Sequence, residues 1–165
     1  MHSTDKRWKQ LGAVLVNYCL EVQPGQKTLI AQYEIETWPL ALATYEAVIK
    51  AGGLPQIQLK SEYLRRAFMK YGSLEQFTWA PELEILSTEW ADCYVGLRGG
   101  YNLDVNHDIS ADVLAKNQQA QGKVSTARWT NTRWCLTRVP NAAFAQQAGL
   151  DLETVIDMYF DACLL

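Results

Sequence analysis

Apolar residues along this chain recur at intervals of three and four, then in short continuous runs, and the two patterns alternate. Leu11, Val14, Leu15, Tyr18, Cys19 and Val22 follow the helical period. They predict a helix over residues 5–22 with that face buried, ended by Pro24-Gly25. Residues 27–32, Lys-Thr-Leu-Ile-Ala-Gln, are short, apolar and partly β-branched, which predicts a strand. A second helix follows, with Thr37 as its cap, Pro39 in its first turn and Leu40, Tyr45, Ala47, Val48 and Ile49 inside. Gly52-Gly53 ends it, because glycine tolerates a left-handed backbone.

The alternation continues. Residues 54–59 predict a second strand with Ile57 and Leu59 on one face, and Ser61 caps a helix reaching Gly72. Shorter helices are predicted over 73–77 and 81–89, and a third strand over 92–97. Asp108 or Ser110 caps a helix to about Ala120, and the Gln-rich stretch 117–122 is expected to run from that helix into a loop. A fourth strand is predicted over 134–139. A short helix over 142–148 is stopped by Gly149, and Asp151 caps the last one. Strands alternating with amphipathic helices predict an α/β fold of three layers, a mainly parallel sheet with helices on both faces, as one domain over residues 1–165.

In the last helix Val155, Ile156, Tyr159, Phe160, Cys163 and Leu164 form one apolar stripe. No glycine or asparagine cap follows Ala162-Cys163-Leu164-Leu165. The stripe is therefore expected to be covered by residues beyond Leu165, and the chain to be a fragment of a longer protein.

Composition narrows the classes. With 165 residues, 48% of them hydrophobic, the chain can bury a core as one domain, and 20% charged residues argue against disorder. A net charge of −3, without clustered Lys and Arg, disfavours nucleic acid. The apolar runs fall short of the roughly 18–20 residues that span a bilayer. The polar start, Met1 to Lys9, lacks the apolar core of a secretory signal. Cys19, Cys93, Cys135 and Cys163 are widely spaced within apolar runs and form no Cys-x-x-Cys pair. Buried free thiols in a reducing cytoplasm are expected.

Catalytic constellations are sparse. Arg98-Gly99-Gly100-Tyr101-Asn102 follows the third strand, where α/β folds often bind ligands, yet it has neither the dinucleotide glycine spacing nor a Walker lysine. A plain Gly-Gly turn is the favoured reading. His107 beside Asp108 resembles an oriented base, but neighbours at a helix start rarely face each other, so Asp108 is read as a cap. His2 lies in the N-terminal tail and is read as inert. Glu34 and Glu36 flank Ile35 and could face one cleft, but two histidines in the whole chain make a dinuclear centre improbable. Trp129 and Trp134, each preceded by an arginine, suggest either a stacking platform for a ligand or a strand packing large aromatics against helices or a further domain; packing is favoured. No catalytic, cofactor-binding or metal-binding residue is assigned.

Four segments together resemble one family: residues 15–25 (LVNYCLEVQPG), residues 48–55 (VIKAGGLP), Asp92-Cys93-Tyr94-Val95, and Arg133-Trp134-Cys135 with Pro140 and residues 145–150 (AQQAGL). Their order and spacing are similar to the N-terminal domain of the thermophilic metallo-aminopeptidase family (aminopeptidase T, aminopeptidase S, leucyl aminopeptidase-like). Asn141 departs from the family pattern, which has threonine after the proline. The resemblance implies a cytoplasmic, homodimeric peptide hydrolase that removes N-terminal residues using two divalent metal ions, zinc, cobalt or similar. It places the Glu, His, Asp and Tyr that hold and assist the metals in a C-terminal domain beyond Leu165. The present domain is then expected to cover and shape the active-site cleft without being catalytic. Its partners are that catalytic domain, a second copy of the chain and peptide substrate, with neither nucleic acid nor a membrane. Two other readings stand beside it: a Rossmann-like module holding a small ligand near Arg98-Gly99-Gly100 or Glu34, and a structural domain that dimerises through the last helix at Phe160.

Overall fold

The computed structural model describes residues 5–164. Its elements follow the predicted alternation. Helix α1 (Arg7–Val14) runs into a π-helical turn (Leu15–Cys19), then strand β1 (Lys27–Tyr33), a 3-10 turn (Ile35–Thr37), α2 (Trp38–Lys50) and β2 (Leu54–Lys60). Then come α3 (Glu62–Tyr71), α4 (Leu74–Phe77), α5 (Glu82–Trp90), β3 (Cys93–Arg98), α6 (Ala111–Asn131), β4 (Arg133–Arg138), α7 (Ala142–Ala148) and α8 (Leu152–Cys163).

The four strands form one parallel sheet in the order β2-β1-β3-β4. Side chains alternate across it, as the pleat requires. Ile30, Cys93, Val95 and Leu97 face one side and join Trp8, Leu11, Val16, Leu40, Val48 and Phe160 in the main core, under α1, α2 and α8. Leu29, Ala31 and Tyr94 face the other side, with Ala91, Tyr33 and Leu136, in a smaller cluster towards α5 and α6. The three-layer α/β architecture is as the sequence predicts.

Several local features differ. The first helix does not keep one α period: Leu20 N–H donates to Leu15 O at 3.1 Å and Val22 N–H to Val16 O at 3.0 Å. These wide turns rotate the register, so Val16 and Leu20 are buried while Tyr18 is 81% exposed and Cys19 is a surface thiol. Thr37 does not cap α2 through its side chain; its hydroxyl donates back to Glu34 O at 2.9 Å. Ile49, expected inside α2, is largely exposed, and so are Ile57 and Leu59, because β2 is an edge strand. Ser110, not Asp108, caps α6. That helix passes through the Gln-rich stretch to Asn131, so Trp129 is helical. Gly122 inside it costs about 1 kcal/mol relative to alanine, too little to end a helix whose Asn117 and Ala120 are buried.

The terminal stripe also has a different cover. Phe160 is 1% exposed and meets Trp8 edge to face, with ring centroids 4.7 Å apart; Ile156, Tyr159, Cys163 and Leu164 pack on the same core. The chain's own first helix covers Phe160 in the stripe expected to need further residues, and the rest of the stripe is half-buried. Phe160 is consequently a core residue and not a surface through which α8 could dimerise. Ser61, Asp151 and Gly149 hold their predicted places, Ser61 and Asp151 as side-chain N-caps and Gly149 at φ 68° closing α7. Among the described residues, no helix is long and apolar enough to cross a membrane.

Candidate functional site: a cleft at the carboxyl edge of the sheet

In this strand order the chain leaves β1 towards β2 on one side and reaches β3 on the other. A crevice forms outside the carboxyl ends of β1 and β3, where open parallel sheets bind ligands. Both segments singled out in the sequence lie there: Glu34 directly after β1, and Arg98-Gly99-Gly100 at the end of β3. They are held close. A Cβ added to Gly99 would sit 2.3 Å from Thr37 Cγ2 and 3.0 Å from Tyr33 O, so only glycine fits.

Glu34 turns out to be a structural bracket. Its backbone lies at φ 69°, ψ 151°, a conformation costing about 1–3 kcal/mol for a residue with a side chain. The carboxylate accepts from Ser61 Oγ at 2.8 Å and from Glu62 N–H at 2.6 Å, which suits a negative charge at the start of α3. Glu34 is buried and Glu36 exposed, so the two carboxylates do not form a pair facing one cleft.

Asn141 is a second bracket. Its Oδ1 accepts from Ala143 N–H at 3.0 Å and Phe144 N–H at 3.1 Å, capping α7. Its Nδ2 donates to Gly99 O at 2.9 Å and Gly100 O at 3.2 Å. A threonine hydroxyl at this position has one proton to donate, whereas the asparagine amide donates to both carbonyls. Asparagine therefore ties the Gly-Gly turn to the end of β4.

A cleft of about 1250 Å³ opens between this edge and α3, α5 and α6. Its charged lining is Lys60, Arg65, Arg98, Arg128 and Arg138 against Glu62 and Glu84. Lys60 pairs with Glu84 at 2.5 Å, and Arg65 lies 4.0 Å from Glu62 while donating to buried Asn117 at 2.9 Å. The loop over residues 99–110 forms one wall. It is pinned to α3 by Arg66, which donates to Asp108 and to Val105 O, and by Tyr101 stacked on Tyr63 at 5.4 Å. That pairing with Arg66 holds the Asp108 carboxyl well below the usual carboxylate range.

His107 and Asp108 do not form a catalytic pair. His107 Nδ1 meets Asp104 O at 3.0 Å in an exposed turn, while Asp108 serves Arg66. The tryptophan motif is resolved within the chain: the Arg128 guanidinium stacks over Tyr94 at 5.5 Å and Trp134 at 5.2 Å, and Trp129 stands exposed on α6. Burial, first, and then Tyr33 push the Tyr94 phenol well above its ordinary value. Arg65 and Arg138 had no distinguishing pattern in the sequence, and Arg128 stood out only as the residue before Trp129; the sheet register and the path of α6 bring the three together. Cys135, half-buried, has its thiol pushed up to about 12 by burial, which removes it as a nucleophile at neutral pH.

The residues present do not fit a metal centre. Among the described residues, no three His, Cys, Asp or Glu side chains come together in a way that could hold an ion.

A family model described as thermophilic metalloprotease (M29) matches residues 4–165. No curated protein matches the chain. Among solved structures, the chain is similar to wild-type AmpT from Thermus thermophilus, with a TM-score of 0.77 at 15% identity over 96% of this chain. The chain spans 43% of the length of that structure. At that identity the likeness shows the shared fold, and the nearly full-length family match shows the lineage: this chain belongs to the thermophilic metalloprotease family.

Proposed function

We propose that this chain is the N-terminal domain of a metal-dependent aminopeptidase, and that it shapes substrate access without carrying the reactive groups. The family match over residues 4–165 carries this reading. Two observations support the division of labour. The chain spans 43% of the AmpT structure's length, and its described residues offer no metal-ligand cluster. In this reading divalent ions would be held outside these residues, where they would supply the Lewis-acid chemistry of peptide hydrolysis. The residues here contribute a walled cleft at the sheet edge, braced by Glu34 and Asn141, that excludes bulk water and orients a peptide. A cytoplasmic homodimer belongs to the same reading.

Hydrolysis of an aminoacyl-anilide tests it. The 165-residue chain is expected to show no turnover with zinc or cobalt added. A protein that joins this chain to the proposed catalytic domain is expected to turn over, to stop with chelator and to recover with metal. Robust turnover by the 165-residue chain, abolished by chelator, overturns the reading.

A further inference from the structure

We propose that Arg98 and Arg138 form a carboxylate-binding fork in the cleft, taking a carboxylate group of a peptide; this rests on the peptidase reading above. The two residues are register partners at the carboxyl ends of β3 and β4. Partners on neighbouring parallel strands point to the same face, about 4.8 Å apart along the sheet. That face is the cleft side: Tyr94 precedes Arg98 by four residues, Leu136 precedes Arg138 by two, and both belong to the cluster there. Both arginines are exposed into the cleft that they line.

Neither has a carboxylate partner among the described residues, whereas Lys60, Arg65 and Arg66 have acidic neighbours. Arg138 lies over the Phe144 ring at 4.5 Å, which orients its guanidinium plane and leaves N–H groups free. Arg128 joins them from α6: it too lacks an acidic partner among the described residues, and its Nε is buried without a hydrogen-bond partner. Three guanidinium groups without an acidic partner among the described residues thus line one cavity of a chain whose net charge is −3.

Like charges on paired strand positions repel, and an anion between them removes the repulsion. Paired planar forks match the two oxygens of a carboxylate. Phe144, Tyr94, Phe68 and Trp79 supply apolar walls for the rest of a short peptide, and the cleft is roomier than a typical small-ligand site of roughly 300–1,000 Å³.

Isothermal titration of the 165-residue chain with three dipeptides tests the assignment: alanyl-alanine, alanyl-alanine amide and alanyl-glutamate α-amide. Tighter binding of the first over the second, by about tenfold, is expected if the fork takes the peptide's terminal carboxylate. Tighter binding of the third over the second assigns it to an acidic side chain. In the double variant Arg98→Gln, Arg138→Gln the preference is expected to vanish. If that variant does not fold, the pair Arg98→Lys, Arg138→Lys keeps charge but not the fork, and the preference should shrink. Equal affinity for all three dipeptides overturns the proposal, as does a preference that survives both variants. Competition by inorganic phosphate with no preference among the dipeptides overturns it as well, in favour of a phosphate site. Because the readout needs no turnover, the two readings fail separately. A carboxylate preference with an inactive joined protein keeps the fork and sinks the peptidase, and the reverse pattern does the opposite.

Discussion

Trp8 on α1 and Phe160 on α8 meet edge to face with their centroids 4.7 Å apart, joining the first and last helices of the fold. The Arg7 guanidinium covers the Phe160 ring at 4.6 Å and pairs with Asp157 at 2.6 Å, closing the contact from the solvent side. Phe160→Ala removes a side chain that is 1% exposed and leaves a cavity against Trp8. The expected loss is about 3–5 kcal/mol, read as a lower urea midpoint with an unchanged slope. A loss below about 1 kcal/mol would mean that α8 is not part of the core.

Glu34 gives a rank order. Glu34→Ala keeps the strained backbone and leaves Ser61 Oγ and Glu62 N–H without their acceptor, for an expected loss of about 1–3 kcal/mol. Glu34→Gly loses the same acceptor but relieves the strain at φ 69°. The glycine variant should therefore melt above the alanine variant. The opposite order would show that the positive φ at position 34 is not a source of strain.

Alkaline pH should unfold the chain partly through Tyr159. Burial pushes its phenol up to about 12 from the ordinary 10, and its hydroxyl lies 2.8 Å from that of Thr137. Below pH 10 the phenol is neutral in both states and its contribution is complete. Between about 10 and 12 the unfolded chain ionises first, so this stability drains away as pH rises. Tyr159→Phe, followed by denaturation at stepped pH, is expected to show a shallower alkaline loss than the parent. An unchanged slope would remove Tyr159 from the account.

The four cysteines should react in order of exposure. Cys19 stands on the surface where the π-helical turn rotates it outwards, Cys93 is buried, and burial raises the thiol of Cys135. Brief iodoacetamide treatment of the native chain, read by mass spectrometry, should label Cys19 first. Equal labelling of Cys19 and Cys93 would contradict the register of that turn.

Much of the fold was legible because the signals were local. Ser61, Asp151 and Gly149 act within a few residues of themselves, and the alternating periods set the sheet as parallel. Tyr18 and Trp129 were misplaced for physical reasons: one π-helical turn rotates the residues after it, and one tolerated glycine lets a helix run on, neither leaving a compositional mark. The cleft was only half legible. Arg98-Gly99-Gly100 could be found from its place after a strand. Its register partner Arg138, the stacked Arg128 and the bracing Asn141 are up to 43 residues away in sequence and come together only through crossover connections.

The proposed aminopeptidase reading places the metal ligands outside these 165 residues. Metal analysis of the purified chain, after equilibration with zinc and exhaustive dialysis, tests it most directly. The account predicts no stoichiometric zinc. One or two equivalents per chain, retained through dialysis and released by chelator, would contradict it.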